Sequence, residues 1–427
     1  MIRFLLKGLL RDRHRSLFPV LIVTIGVILT VLVHCWITGV IGDVIDYNAR
    51  FSTGHVKVMT RAYAENMDQT PNDLALLRAN ELLDDLHKAF PSMIWVQRTR
   101  FGGLLDAPDE RGETKAQGPV MGLAVDLLSG KGDEIDRLNI RKALMRGKLP
   151  QISGEILVSD EFAAKLAVRP GDAVTLIGST MNGSMAMQNF AIAGTVQFGV
   201  SGMDRGAMIV DISDAQQALD MEDASGEILG FFRDGLYNDM EAQEVVKQFY
   251  ATFGNSGNPG DEFAPIMLSL KEQNDLASMF DYVSRMIGII IFVFVFAMCI
   301  VLWNAGLING LRRYGEVGLR LAIGEDKGGV YRSLIYESVA IGIAGSVCGT
   351  LIGLGFAYIL QTKGIDIGSM MKSATMMMPN VFRAHITSRA YYIGFIPGLF
   401  STVLGTMLSG IGIYRRKTAQ LFKELEV

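Results

Sequence analysis

Four long, strongly apolar runs without Asp, Glu, Lys or Arg limit what this chain can fold into. A helix needs about 20 residues to cross the hydrocarbon core of a bilayer, and residues 16–42, 286–311, 338–362 and 390–414 all exceed that length. Glycine and serine are frequent in the last two runs, as in helices that pack closely in lipid. The sequence therefore predicts a membrane protein with four transmembrane α-helices.

The charges at the two ends of the chain indicate its orientation. The first 15 residues hold five basic side chains and one acidic one, and the tail after Tyr414 holds four and two. Basic flanks stay in the cytoplasm, so both termini are predicted to be cytoplasmic, as four crossings allow. The loop 363–389 disagrees, because it would lie outside with four basic residues against one acidic residue. The first run is too long for a cleaved signal peptide, so we expect a retained anchor.

Residues 45–280 form an acidic region long enough for a folded domain. Between Asp43 and Asp281 the chain has 21 Lys and Arg against 36 Asp and Glu. "GEILVSDEFAAKLAVRPGDAVTLIG" predicts a strand, a short helix capped by Ser159 or Asp160, a turn and a second strand. "STMNGSM" predicts the tip of a hairpin. The region is therefore predicted to be a large α+β extracytoplasmic domain, periplasmic in a bacterium, between helices 1 and 2.

Three further segments of this region carry local signals. "DLALLRANELLDDLHKAF" has apolar residues at helical spacing and predicts a helix that Pro91 ends. "MIWVQRTRFGGLLDA" predicts a strand that enters a turn. "SLKEQNDLASMFDYVSRM" predicts a helix that runs into the second membrane span, and the preceding "FGNSGNPGDEF" predicts a flexible loop.

Motifs for catalysis or metal binding do not emerge from the sequence. "LSGKGDE" lacks the Ser or Thr and the first glycine of a nucleotide-binding P-loop. The five histidines lack metal-ligand spacing, and neither a G-x-S-x-G elbow nor a Cys-x-x-Cys pair occurs. The three cysteines lie in predicted helices and are interpreted as packing residues. His34 and Asn304 lie within spans, where hydrogen bonding between helices is the expected role.

Methionines cluster in two segments outside the predicted spans. "SMMKSATMMMPNVF" contains Met370, Met371, Met376, Met377 and Met378, and "MNGSMAM" adds three more. Thioethers can bind Cu(I), but methionine also forms adaptable apolar surfaces, and the first segment could equally lie on the membrane surface. We interpret its five methionines as a candidate cargo-contacting surface, with the other two readings open.

A charged stretch, "RRYGEVGLRLAIGEDKGGVYRSLIYE", separates the second and third runs. On a helical wheel Glu316 and Arg320 share one face, and Leu321 lies opposite. Leu319 and Ile323 project at the edge of the charged face. The pattern predicts a short amphipathic helix at the cytoplasmic end of the second span, which Gly324 can end. A solvated loop with positive-inside charges is the alternative reading.

This stretch resembles the signature of FtsX/MacB-type ABC transporter permeases, E-I-G-x-R-x-A-x-G-A followed by a glycine-rich helix that begins with Glu. The match falls on seven positions: Glu316, Val317, Gly318, Arg320, Ala322, Gly324 and Glu337. Glu325 and Asp326 depart from it, since a small residue and then often a basic one are usual there. "GEILVSDEFAAKLAVRPGDAVTL…FAIAGTV…DISDAQQAL" resembles the MacB-like periplasmic core domain. The start of the external region looks more like the LolC/LolE branch, which lacks a fused ATPase.

The resemblance implies an organisation and a set of partners. Residues 1–44 would hold the cytoplasmic N-terminus and helix 1, 45–280 the MacB-like periplasmic core, and 281–427 an FtsX-like permease domain with a coupling helix at 312–324. The expected contacts of that helix with the ATPase are Glu316, Val317, Gly318, Leu319, Arg320, Ala322, Ile323 and Gly324. The chain would be a multi-pass inner-membrane protein that pairs with a cytoplasmic ABC ATPase and a second permease subunit, identical or paralogous.

In such a system the ATPase binds ATP and Mg, so no cofactor and no catalysis are expected in this chain. Membrane lipids are expected partners and nucleic acid is not. The motion of the spans would be passed to the periplasmic domains, which is called mechanotransmission. The first hypothesis for the function of the chain is release of lipoproteins from the inner membrane, with a periplasmic carrier as a further candidate partner. MacB-like efflux of small molecules or peptides and FtsX-like signalling to a periplasmic enzyme are the alternatives.

Overall fold

The computed structural model describes residues 13–109, 111–130, 133–254, 260–273, 276–312, 319–366 and 380–415. The chain divides into two compact units. We call Met1–Gly42, Phe280–Ile365 and Phe382–Val427 the membrane unit, and Asp43–Met279 with Asp366–Val381 the β-rich unit. Long helices join the two along the chain.

Thirteen α-helices are described, and the four longest of them contain the strongly apolar segments. They are α1 Arg13–Asn48, α2 Arg61–Glu65, α3 Ala79–Ala89, α4 Glu134–Arg137, α5 Ile140–Ala143, α6 Asp160–Leu166, α7 Ser201–Asp204, α8 Ile212–Ala218, α9 Asp239–Phe253, α10 Leu276–Arg312, α11 Lys327–Lys363, α12 Ala390–Ile393 and α13 Phe395–Arg415. A π-helical segment, Ala49–Thr53, continues α1.

The described strands are β1 Val56–Thr60, β2 Leu76–Leu77, β3 Met93–Pro108, β4 Thr114–Val125, β5 Leu144–Gly147, β6 Glu155–Ser159, β7 Ala173–Ser179, β8 Met185–Val196, β9 Ala207–Asp211, β10 Ala224–Ser225, β11 Glu227–Phe232, β12 Pro265–Ser269, β13 Ile365–Asp366 and β14 Val381–Phe382. Ten of them form one sheet in the order β12-β1-β11-β3-β4-β9-β6-β8-β5, with β7 against β3 and β8. The pairs β4–β9 and β6–β8 are parallel, and the other pairs are antiparallel. The predicted α+β domain with mixed strands is thus confirmed.

Strand β3 runs through the whole of the segment "MIWVQRTRFGGLLDA", and the chain turns only after Pro108. Gly102 and Gly103 pair in register with Met121 and Val120 of β4. A Cβ at Gly103 would lie 2.8 Å from the carbonyl oxygen of Ile177 on β7. Glycine therefore permits a close approach of strands here rather than a change of direction.

The helix predicted from "DLALLRANELLDDLHKAF" begins later than predicted. Leu76 and Leu77 form a short strand that pairs with β10, and residues before them form a 3-10 turn, so α3 starts only at Ala79. In "SLKE", Ser269 ends β12 and pairs with Val56, and Leu270–Glu272 form a 3-10 turn that is separate from α10. Local spacing could not show either strand pairing, because the partner strands lie far away in the sequence.

The predictions for residues 155–196 are confirmed. Ser159 caps α6 by accepting a hydrogen bond of 3.3 Å from the backbone N–H of Phe162. The turn between β7 and β8 is closed by a bond of 2.8 Å from the N–H of Thr180 to the carbonyl of Ser184. Phe162 and Leu166 on α6 then pack with Phe190 of β8 in a core on one face of the sheet.

Four helices of the described chain are long and apolar enough to cross a membrane: Leu17–Thr53, Leu276–Val301, Lys327–Lys363 and Ala390–Leu408. They coincide with the four charge-free runs. In the membrane unit α11 presents glycine to α1, because a Cβ at Gly345, Gly349 or Gly353 would lie 2.7–3.1 Å from Val23, Val27 or Val31. Small residues at a four-residue interval let the two backbones approach, as is usual between membrane helices.

Candidate coupling site

The candidate site follows the second membrane span and includes residues 319–337 of the charged stretch. Residues 319–322 are helical and lead through a turn into α11. We call residues 319–324 the coupling turn. Three of the predicted contact residues, Glu316, Val317 and Gly318, lie outside the described residues. So do the five methionines of the candidate cargo surface, Met370, Met371, Met376, Met377 and Met378.

Gly324 ends the short helix in a Schellman motif. Its N–H donates to the carbonyl of Leu321 at 3.2 Å, and the N–H of Glu325 donates to the carbonyl of Arg320 at 3.0 Å. These are the two bonds that close a helix through a left-handed residue. Gly324 has φ +101°, which side-chain-bearing residues rarely adopt. The end that the sequence predicts at Gly324 is confirmed.

Asp326 begins the next helix. Its carboxylate accepts a hydrogen bond of 3.1 Å from the backbone N–H of Gly328, and its carbonyl accepts one of 3.1 Å from Val330. An acidic N-cap satisfies otherwise unpaired N–H groups and opposes the positive end of the helix dipole. The departure from the family signature at this position is therefore a capping residue in this structure.

The turn is anchored on one side only. Leu321 packs with Val330 and Leu334 of α11, and Val330 is only 1% exposed. Leu319 is 58% exposed and Ile323 is 78% exposed. Three residues of one short segment thus divide between an inner side that packs on α11 and an exposed apolar side. Their contact with an ATPase stays a prediction.

Helix α11 connects this turn firmly to the rest of the membrane unit. Besides the glycines against α1, a Cβ at Gly342 would lie 2.6 Å from the Thr402 hydroxyl on α13. The Thr24 hydroxyl donates to the carbonyl of Gly345 at 3.4 Å. The turn therefore continues into a helix that packs closely against both α1 and α13.

Groups for catalysis are not assembled at this site. Among the residues that the structure describes, His, Cys, Asp and Glu form no cluster of three that could hold a metal ion. The cysteines are unpaired, with Cys35 and Cys299 buried and Cys348 exposed. His34 Nε2 lies 3.5 Å from the Thr387 hydroxyl, at the outer limit of a hydrogen bond. Thr387 precedes α12, so the partner is a loop residue rather than the helix predicted for it.

Sequence reasoning missed a set of buried charges in the β-rich unit. Glu227 accepts from Lys57 Nζ at 2.9 Å and from Arg100 Nη2 at 2.6 Å. Burial lowers the pKa of Lys57 to about 8, although Glu227 opposes the shift. Burial would raise the pKa of Glu227, but Arg100 and Lys57 hold it below its usual value. The sequence contains no local signal for the ion pair of Lys57 and Glu227, because the two residues lie 170 positions apart.

Part of the chain matches a known protein family. Residues 288–418, from the second span through the coupling turn to the fourth, match the family model described as FtsX-like permease C-terminal. Residues 288–418 form an FtsX-like permease domain. The coupling turn at 319–324 lies inside these matched residues.

Two further likenesses were found. The chain is similar to the macrolide export ATP-binding/permease protein MacB 1/2 of Paracoccus denitrificans (strain Pd 1222), 28% identical over 74 residues. That match covers 17% of this chain and 11% of the relative, well under two thirds of its length. A crystal structure of the periplasmic region of MacB from Actinobacillus actinomycetemcomitans aligns with a TM-score of 0.36 and 10% identity, over 55% of this chain and 96% of that one.

Proposed function

We propose that this permease is the transmembrane subunit of an ABC transporter whose ATP hydrolysis is supplied by a separate ATPase. The ATPase would dock on the coupling turn, bind ATP and Mg itself, and drive a conformational change of the β-rich unit on the far side of the membrane. A second permease subunit, identical or paralogous, would complete the transporter. We place the protein in the bacterial inner membrane with both termini cytoplasmic, in agreement with their basic residues.

The observation that carries the proposal is the exposure of Leu319 and Ile323 on an anchored turn. Two large aliphatic side chains in water cost free energy, of the order of 25 cal/mol for each Å² that a partner could cover. The turn that presents them is fixed by the Schellman bonds of Gly324 and by the capping of α11. A preformed apolar knob loses little conformational freedom on docking, which favours binding.

Co-purification tests this docking. Leu319→Asp should abolish recovery of the ATPase with the tagged permease, because the introduced carboxylate would have to be buried in the interface. Met240→Asp is the matched control, since Met240 is 82% exposed on α9 of the β-rich unit and lies outside the family match. Equal recovery with Leu319→Asp and wild type, from protein with unchanged thermal unfolding, would refute docking at the turn.

For the cargo, we propose lipoproteins or another lipid-anchored substrate taken from the outer leaflet of the inner membrane. The support is the large β-rich unit between the first two spans and the methionine-rich segment with Met370, Met371 and Met376–Met378, which would supply an adaptable apolar surface for acyl chains. Reconstitution in liposomes with the ATPase and a tagged lipoprotein should give ATP-dependent release to a soluble carrier. Lack of release from an ATP-hydrolysing complex would rule this cargo out.

Export of small molecules or peptides is the second candidate. It is favoured by the likeness to a relative named as a macrolide exporter, though over only 74 residues. This function predicts that deletion of the gene sensitises cells to macrolides or peptides while lipoprotein sorting stays normal. The lipoprotein function predicts the opposite pair of results, so one deletion strain separates the two.

A further inference from the structure

The end of the first membrane-spanning helix is held in an unusual way. Helix α1 passes at Asn48 into the π-helical segment Ala49–Thr53, and Gly54 follows with φ +61°. The last four carbonyl groups of a helix have no partner within it. In this segment nearly every residue is buried, so water is not freely available to them.

Side chains from distant parts of the β-rich unit supply the missing donors. Arg98 Nη1 on β3 donates to the carbonyl of Arg50. Arg100 Nη2 donates to the carbonyl of Ser52 at 3.4 Å. Of the carbonyl groups of residues 50, 51 and 52, two thus accept hydrogen bonds from arginines of β3. The C-terminal end of a helix carries a partial negative charge, which favours cations nearby.

The gripping arginines are fixed in turn by buried carboxylates. Arg98 Nε donates to Glu134 at 2.7 Å, and neither side chain is more than 1% exposed. Glu134 also accepts from Arg137 at 3.0 Å, and Glu227 accepts from Lys57 and Arg100. Four cations therefore surround two carboxylates. The partial negative charge of the helix end offsets the excess of buried positive charge.

The second membrane-spanning helix is tied to the same point. Gln273 is fully buried, and its Nε2 donates to the carbonyl of Thr53 at 3.3 Å and to that of Ser269 at 3.1 Å. The carbonyl of Gln273 accepts from the N–H of Leu276, the first residue of α10, at 3.1 Å. A single residue thus links the end of the first spanning helix, through its side chain, to the start of the second, through its backbone carbonyl.

We propose that Arg98 and Gln273 are positioning residues of a rigid joint, through which the motion of the first two spans is transmitted to the ten-stranded sheet. The joint consists of 49–54, Arg98, Arg100, Glu134, Glu227 and Gln273. Its role in transmission rests on the proposed function, whereas its grip on the helix end does not. Strand β3 pairs with β11, β4 and β7. Because the arginines of β3 hold the end of α1, a rotation of α1 would move the sheet.

Hydrogen exchange of the full chain in lipid nanodiscs tests the grip. The variant combines Arg98→Gln with Glu134→Gln, which removes the arginine together with the carboxylate that holds it and leaves the net charge unchanged, although Arg137 also loses its bond to Glu134. Amides of 49–54 should then exchange at least tenfold faster, while those of β8 keep their wild-type rates. Gln273→Met, which leaves every charge in place, should accelerate the same amides. The control combines Arg78→Gln with Glu81→Gln, an exposed pair on the same unit.

Wild-type exchange at 49–54 in both variants would overturn the joint. Uniformly faster exchange across the whole sheet in both would also overturn it, since it would mean that these residues only maintain the fold. Loss of the fold in the double variant alone leaves Gln273→Met to decide between these outcomes.

The transmission role is measured in the complex with the ATPase. ATP should change the exchange of the β-rich unit in the wild-type complex. In Gln273→Met this response should be lost while the ATPase rate is kept, a separation that a merely structural role would not produce. A retained response would overturn the transmission role. No response in the wild-type complex would overturn the proposed function, and transmission with it, without affecting the grip measured in the isolated permease.

Discussion

Asp326 accepts a 3.1 Å hydrogen bond from the N–H of Gly328, two residues after the glycine that ends the preceding helix. One helix therefore closes at Gly324 and the next opens at Asp326, with only Glu325 between the two caps. Such a short connection, capped on both sides, fixes the direction of the coupling turn relative to α11. The orientation of Leu319 and Ile323 follows from these two local interactions.

Removal of the cap should weaken the start of α11. Asp326→Ala is expected to lower the free energy of unfolding by about 1 kcal/mol, because an N–H group of the first turn loses its acceptor and the dipole its counter-charge. Thermal unfolding of the solubilised permease measures this. Asp326→Ser keeps a capping oxygen and should recover most of the loss. If Asp326→Ala and Asp326→Ser lower stability equally, the cap is not the reason.

Gly324 should tolerate no side chain. At φ +101° a substituted residue is strained by about 1–3 kcal/mol, so Gly324→Val should displace the turn and reduce ATPase co-purification while expression stays normal. The steric surroundings are not the cause, because a Cβ there would meet nothing within 4 Å. Gly329→Ala is the control, since its Cβ would have only ordinary contacts at 3.7 Å in α11. Full ATPase recovery with Gly324→Val would contradict the assigned role.

The sequence predicts the four spans because length and absence of charge are physical requirements of a bilayer, independent of what each helix contacts. It also predicts the strand, helix, turn and strand of 155–179, because Ser159 and the "RPGD" turn act locally. These predictions need no knowledge of distant residues.

Other features depend on distant partners and could not be predicted. Lys57 occupies the middle of an apolar strand, where alternation places it on a solvated face, yet it is 1% exposed because Glu227 of the neighbouring strand pairs with it. The close approach of β7 to Gly103 depends on a strand about 75 residues further along the chain. The grip of Arg98 on the end of the first helix likewise joins residues 48 positions apart.

The packing of α11 on α1 gives a prediction for the membrane unit. Gly349→Ala should destabilise the permease by about 1–3 kcal/mol, because the added Cβ would lie 2.7 Å from Val27 Cβ and 2.8 Å from the carbonyl oxygen of Thr24. Gly355→Ala is a matched control on the same helix, since its Cβ would meet nothing within 4 Å. Thermal unfolding in detergent should separate the two variants. Equal stabilities would mean that α11 and α1 do not pack at this distance.

His55 should make the β-rich unit sensitive to acid. Its Nδ1 accepts a hydrogen bond of 3.0 Å from the N–H of Phe232, which requires a neutral ring. Burial, and after it the charge of Arg137, lowers the pKa of His55 from 6.5 to about 4, although Asp234 acts in the opposite direction. Between these two pH values the unfolded chain binds a proton that the folded chain does not. The free energy of unfolding therefore falls as the pH is lowered from 6.5 to 4, by up to about 3 kcal/mol from this residue.

Thermal unfolding of wild type and His55→Asn between pH 4 and pH 7.5 measures this contribution. The Asn amide oxygen can accept the same hydrogen bond from Phe232 but cannot be protonated in this range, so the variant should lose less stability on acidification than wild type. Above pH 6.5 the stabilities of wild type and variant should differ only by a constant amount, because His55 is then neutral in the folded and in the unfolded chain. Met240→Asn, which introduces the same side chain at an exposed position on α9, should keep the wild-type pH dependence. Parallel curves for wild type and His55→Asn would show that other groups set the acid sensitivity.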